Sequence, residues 1–223
     1  MVIKNQAKIY AGWEVLYAAG AEENWSERPP PWFNESRAKI SPGSKVLELC
    51  AGDGRITQEL VATGHAVTAL DIAPSALKAI QTNFQRRGLP HPLLVRGSAT
   101  DIPLGDAQFD VIICVNGIGQ LDRPAACIKE AARVLRPGGW FIFDVFTPDD
   151  ETFGEGEQIG AQDFLYRGTL FRYFTANQFA PIYEAEFELV EMKEEEWMDP
   201  AHGEFRPVSH VHRALVYTLK KKG

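Results

Sequence analysis

Cysteine is scarce in this 223-residue chain: only Cys50, Cys114 and Cys127 occur, too few and too scattered for a disulfide framework or a cysteine-rich zinc site. No apolar run approaches the roughly 20 residues of a bilayer-spanning helix, and the opening MVIKNQAKIY lacks the apolar stretch of a signal peptide. Basic residues are the minority, 23 against 30 acidic for a net charge of −7, which argues against nucleic acid and anionic membrane surfaces as partners. There is no internal repeat and no low-complexity tract. What is present, 45% hydrophobic and 24% charged residues, is ordinary for a globular protein with a real core. The chain therefore reads as one cytoplasmic globular unit over residues 1–223, with its oligomeric state left open.

Periodicity orders the chain. QAKIYAGWEVLYAAG has the spacing of an amphipathic helix with Gly20 as its stop. Pro29, Pro30 and Pro31 form a stiff connector, followed by a short helix around Phe33–Ile40. Strands are expected at 45–49, 65–71, 92–97, 109–115 and 140–146, separated by helices over 56–63, 75–88 and 124–139. The strands are near-continuous apolar runs, which suits a parallel sheet covered on both faces. Residues 147–174 are polar, glycine-rich and aromatic without a sustained period, and read as a lid. A helix capped by Thr175 and two strands, 187–197 and 209–221, complete the chain. The expected fold is α/β: a doubly wound, Rossmann-like, seven-stranded sheet, mostly parallel with one reversed strand and helices on both faces.

Such a sheet binds its ligand at the carboxyl ends of its strands, near the point where strand order reverses. Gly52 and Gly54 follow the first strand, where glycine lets a ligand approach main-chain N–H groups. Asp71 ends the second strand 19 residues after Gly52, a distance at which a carboxylate can accept both hydroxyls of a ribose. Gly97–Pro103 and Asn116-Gly117 follow the third and fourth strands. A dinucleotide fingerprint would place a third glycine where Thr57 stands. Glu48, inside the first strand, would repel a pyrophosphate but not an ammonium or a sulfonium. The residues thus favour a cationic nucleoside ligand.

VLELCAGDGRIT, ALDIAPSALKAI, GSATDIPLGDAQFDVIICVNGIGQL and RVLRPGGWFIFDVF together resemble the ordered motifs of class I S-adenosylmethionine-dependent methyltransferases of the small-molecule type, over roughly residues 44–146. The passage TANQFAPIYEAEFELVE is similar to that family's entry to strand six. The resemblance implies S-adenosyl-L-methionine as cofactor. It implies that Glu48 faces the amino-acid end, that the backbone at Cys50, Ala51, Gly52 and Gly54 lies along the methionyl and ribose parts, and that Asp71 binds the ribose. It further implies that Ile72 packs on adenine, that Ser98 and Ala99 meet the adenine edge, and that Val115 and Asn116 contact the methionine portion. Two positions depart from the pattern: Cys50 stands for the first glycine of the loop, and Ser98 for the adenine-edge acid.

In this reading residues 1–43 are an N-terminal helical lid and connector, 44–146 the cofactor core, 147–174 a substrate-side lid, and 175–223 a C-terminal helix and strand pair. The expected activity is in-line methyl transfer to a small-molecule acceptor of unknown identity, with no nucleic acid and no membrane as partner. Tyr10, Trp13, Tyr17, Tyr166 and Arg172 are the candidate acceptor residues, and no side chain identifies itself as a general base. His210 and His212 share one strand face, but with no third ligand noted nearby no metal is expected. Two alternatives stay open: an NAD(P)-dependent oxidoreductase, and a non-catalytic cofactor-binding scaffold.

Overall fold

Five strands of the sequence pattern recur in the computed structural model, which describes residues 6–19 and 28–223, with side chains from residue 11 onward. The Gly20 stop and the side chain of Tyr10 lie outside what is described. The strands are β1 (Lys45–Leu49), β2 (Ala66–Asp71), β3 (Leu93–Arg96), β4 (Phe109–Cys114) and β5 (Leu135–Phe146). They pair in parallel, and strands β9 (Phe187–Asp199) and β10 (His210–Lys221) extend the sheet. The order is β3-β2-β1-β4-β5-β10-β9, with β10 antiparallel to both of its neighbours, the one reversed strand expected.

Side-chain alternation divides the core into two layers. Val46, Val111, Ile113, Ile142 and Val216 pack with Trp32, Phe33, Ile56 and Leu60 from α2 (Pro31–Arg37) and α3 (Arg55–Ala62). The alternate positions Leu47, Leu49, Ile112, Phe141, Phe143 and Tyr217 pack with α5 (Pro124–Val134) and α6 (Ala176–Tyr183). Both faces are therefore covered, which is why these strands carry unbroken apolar runs. α4 (Pro74–Arg87) starts on its proline and ends at Gly88 in the left-handed region, φ +64°. α6 opens with a capping box in which the Thr175 N–H donates to Gln178 Oε1 at 3.0 Å.

Two segments differ from expectation. α5 ends at Val134 rather than 139, because its last carbonyls are taken by the preceding loop: Ala107 N–H donates to Arg133 O at 3.0 Å and Gln108 N–H to Val134 O at 2.8 Å. The stretch 147–174, expected to be irregular, builds a second sheet of β6 (Glu157–Gln158), β7 (Asp163–Tyr166) and β8 (Thr169–Arg172). Strands of two to four residues are too short to show alternation. Their hairpin also turns on Arg167 and Gly168, both at positive φ (+50° and +82°), with arginine where asparagine or aspartate is the usual signal. Across the top runs α1 (Gln6–Ala18), and Gly12 packs so closely on the Gly168 carbonyl that no Cβ would fit. Among the described residues no helix is long and apolar enough to cross a membrane.

Candidate functional site

The turn after β1 is built from backbone that few residues tolerate. Cys50, Gly52 and Gly54 all have positive φ (+55°, +55° and +86°). Asp71 pins this turn: Gly52 N–H donates to its Oδ2 at 2.8 Å and Ala73 N–H to its Oδ1 at 2.9 Å. One carboxylate therefore joins the glycine turn to the start of α4. Burial pushes the Asp71 pKa up, against the pull of those backbone N–H groups. Asp71 also borders a cavity of about 510 Å³ with Trp13, Tyr17, Ile72, Ser98 and Ala99. The Ser98 hydroxyl is shared with Thr100 Oγ1 at 2.9 Å.

A second cavity of about 470 Å³ continues from it, bordered by Glu48, Cys50, Ala51, Gly52, Val115 and Asn116. Of the expected cofactor residues, only Gly54 reaches neither; it starts α3, and a Cβ there would lie 2.9 Å from Ile80. Glu48 is 2% exposed and accepts the Thr57 hydroxyl, so the residue in the third-glycine position braces the acid. Burial, reinforced by Asp53, pushes the Glu48 pKa up to about 8. Near neutrality burial therefore favours its protonated form over the charged one expected from sequence.

Trp13 and Tyr17 border both of these cavities. A Cβ on Gly52 would lie 2.5 Å from the Tyr17 hydroxyl, so this ring roofs the glycine turn. Burial and the neighbouring Asp71 and Asp53 push the Tyr17 pKa well above its usual value. Glu14 anchors the same helix, accepting the Ser75 hydroxyl at 2.7 Å and the Ser75 N–H at 3.1 Å.

Beyond Asn116 lies a third space of about 320 Å³, bordered by Gln120, Phe146, Phe171, Phe205 and Arg206 with Asp199, His202, His210 and His212. Asn116 and Gln120 line this space as well as the 470 Å³ cavity. Asn116 has φ +53°, and its N–H donates to Asp144 Oδ1 at 2.7 Å. With its amide turned to donate to Asp144 Oδ2 at 2.9 Å, its oxygen accepts from Arg55 Nη2 at 3.0 Å. Burial raises the Asp144 pKa to about 6.

Of the expected acceptor residues, Tyr166 supports this space from behind, donating to the Phe205 carbonyl at 3.0 Å while Arg206 lies over its ring at 5.1 Å. Arg172 borders an adjoining recess, but its guanidinium is held by Asp163 at 2.8 and 3.0 Å and by the Leu121 and Asp122 carbonyls at 3.3 Å.

The histidine cluster was only half visible in sequence. His210 and His212 do share a face, and β9 brings Asp199 opposite His210 in register. His202 follows, its Nε2 3.0 Å from Asp199 Oδ2. The Asp-x-x-His spacing at 199–202, shortly before His-x-His at 210–212, is the signal that sequence reading passed over. His212 Nδ1 lies 2.9 Å from Asp150 Oδ2, and its ring stacks on Phe146 at 4.1 Å. The carboxylates of Asp150 and Asp199 hold the His212 pKa up, whereas burial and the cations of His212 and Arg206 press that of His210 down to about 4. Hydrogen bonds from His202 and His212 hold Asp199 well below the usual carboxylate range.

Residues 47–143 match the family described as the methyltransferase domain. An uncharacterized methyltransferase of Synechocystis sp. is 34% identical over 138 residues, covering 60% of this chain and 60% of that protein. One from Mycobacterium bovis is 35% identical over 147 residues, covering 64% of this chain and 56% of that protein. The chain thus spans 56–60% of the length of these curated relatives. The solved 1,6-didemethyltoxoflavin-N1-methyltransferase of Burkholderia thailandensis superposes with a TM-score of 0.70 at 21% identity, over 100% of this chain and 91% of that one.

Proposed function

We propose, from the match of residues 47–143 to the methyltransferase-domain family, that this chain transfers a methyl group from S-adenosylmethionine to a small molecule held beyond Asn116. The observation that carries the reading is the meeting of spaces at Asn116 and Gln120, with Asp71 and Glu48 on one side and an aromatic, polar-walled space on the other.

The residues present fit the cofactor. Asp71 keeps acceptor capacity for ribose hydroxyls after taking one N–H on each oxygen. Ile72 and Ala99 offer apolar contact for a base, and Glu48 offers a carboxylate for an ammonium. Gly117 is also required there, since a Cβ would lie 2.6 Å from Cys114 Sγ and 2.9 Å from Cys50 Cβ. When bound, S-adenosylmethionine supplies an activated methyl group for in-line displacement. The protein's part is orientation and exclusion of water, and good orientation can contribute roughly 7–11 kcal/mol. Trp13 and Tyr17 of α1 roof the cleft, and Asp144 with Arg55 fixes the Asn116 amide at the junction.

Residues 44–146 act as the cofactor core in this reading, with α1 and the small sheet covering it and the end of β9 and start of β10 closing the acceptor side. The Burkholderia neighbour binds both 1,6-didemethyltoxoflavin and S-adenosylhomocysteine, a precedent on this fold for a small-molecule acceptor. Calorimetry tests the proposal. Both S-adenosylmethionine and S-adenosylhomocysteine are expected to bind, and NAD is not. Binding of NAD with neither sulfur ligand would sink it.

A further inference from the structure

We propose that Asp199, His202, His210 and His212 form the binding site of one divalent transition-metal ion, facing the acceptor space. Candidate ligand atoms of Asp199, His202 and His210 all lie within 4.8 Å of one another. The closest approaches are 3.0 Å from His202 Nε2 to Asp199 Oδ2, 3.1 Å between the Nε2 atoms of His210 and His212, and 3.6 Å from His212 Nε2 to Asp199 Oδ2. Two ligands around one tetrahedral ion, each at a bond length of about 2.0–2.1 Å, stand about 3.4 Å apart. The cluster already has that scale.

The outer nitrogens strengthen the argument. His212 Nδ1 faces the Asp150 carboxylate at 2.9 Å, and His210 Nδ1 faces the Val208 carbonyl at 3.3 Å. Each acceptor suits an Nδ1–H tautomer, which would turn both Nε2 lone pairs into the cluster when an ion is bound; with no ion, a protonated His212 donates its Nε2–H toward His210. The two Nε2 atoms, 3.1 Å apart, require either a proton or a metal ion between them. An ion satisfies that need with both imidazoles neutral, and the carboxylate–histidine arrangement is the one that orients metal-bound histidines. Asp150 is itself held by the Thr152 N–H at 2.9 Å and the Arg213 N–H at 2.8 Å, so the support is rigid. All four candidate ligands are at most 5% exposed. Three imidazoles and one carboxylate suit zinc, iron(II), cobalt or nickel rather than magnesium or calcium.

The cluster forms one wall of the space that Asn116 and Gln120 share with the cofactor cleft. Four protein ligands complete a tetrahedral ion, so an acceptor's oxygen, nitrogen or sulfur atom would be held as a fifth ligand, and this role rests on the methyl-transfer reading.

The test titrates chelator-treated protein with Zn²⁺ against a chromophoric chelator, and with Co²⁺ by its visible spectrum. One equivalent is expected to bind. His202→Ala and His210→Ala should lose it while still binding S-adenosylhomocysteine, which shows that they fold. Asp150→Asn keeps the four ligands and should weaken affinity about 10–100-fold; it decides the matter if the alanine variants do not fold. Absent uptake by folded protein, or uptake the variants do not change, overturns the site and leaves a shared proton between His210 and His212. Azide should shift the Co²⁺ spectrum by adding as a fifth ligand, and an unmoved spectrum overturns the acceptor-holding role. If S-adenosylhomocysteine fails to bind the native chain, the methyl-transfer reading falls while the metal titration stands.

Discussion

Glu48 couples stability and cofactor binding to pH through one buried proton. Its carboxyl ionises near 4.5 in the unfolded chain and near 8 in the fold. Between those values the native state holds the extra proton, so stability is full below about pH 4.5 and falls as pH rises through the window, levelling above about 8. The slope is at most about 1.4 kcal/mol per pH unit. Urea unfolding of Glu48→Gln should lack it. A ligand ammonium demands the ionised form, so affinity for S-adenosylhomocysteine should tighten by up to about tenfold per unit toward pH 8. Calorimetry at three pH values should show that trend in the native chain and a flat line in Glu48→Gln. Asp71→Ala is expected to weaken the same ligand by roughly 1–3 kcal/mol, since ribose hydroxyls lose a charged acceptor. Unchanged affinity would remove Asp71 from the ribose site. Both residues stood out in sequence because Glu48 lies inside the first strand just before a glycine turn and Asp71 ends the second strand just before a helix start.

At the level of elements, α1 and the small sheet have different attachments and should fail differently. α1 is held to α4 through the two bonds from Ser75 to Glu14. Glu14→Ala forfeits about 1–2 kcal/mol of them, which should loosen the roof and cost about tenfold in cofactor affinity by calorimetry. Arg172 ties β8 to β7 through Asp163 and to the turn at 121–122. Arg172→Ala should therefore lower the melting temperature first, by several degrees for a loss of about 1–3 kcal/mol. Sequence reading gave Arg172 an acceptor role, because a charged residue among aromatics and glycines resembles a lid anchor. It could not see Asp163 paired across a hairpin whose strands are too short to show a period. The histidine cluster was missed for a related reason. Asp199 and His202 leave β9, His210 and His212 enter β10, and only the strand register makes them neighbours.

For the whole molecule, ligand linkage gives a direct readout. S-adenosylhomocysteine at a hundred times its Kd should stabilise the fold by about 2.7 kcal/mol, raising the melting temperature by about 5–10 °C for a chain of this size. NAD at the same concentration should leave it unmoved. The central strands and their parallel pairing were readable because each central strand is a continuous apolar run and each intervening helix is punctuated by proline or glycine. The acceptor space was not, since it gathers Asn116, Phe146, Phe171 and residues 199–212 from separate elements. The position of β10, between β5 and β9, also sets an order of events during synthesis. β9 leaves the ribosome first, yet β10 is its sole neighbour in the sheet. Until residues 210–221 emerge, a 13-residue strand carrying Leu189, Val190 and Met192 waits with both edges open. Such a strand invites pairing with other chains. Nascent chains stalled with residue 208 just outside the ribosome should be protease-sensitive and should recruit chaperones. Those stalled after residue 221 has cleared it should resist protease, so the interval between the two is when crowded synthesis most exposes this protein to aggregation.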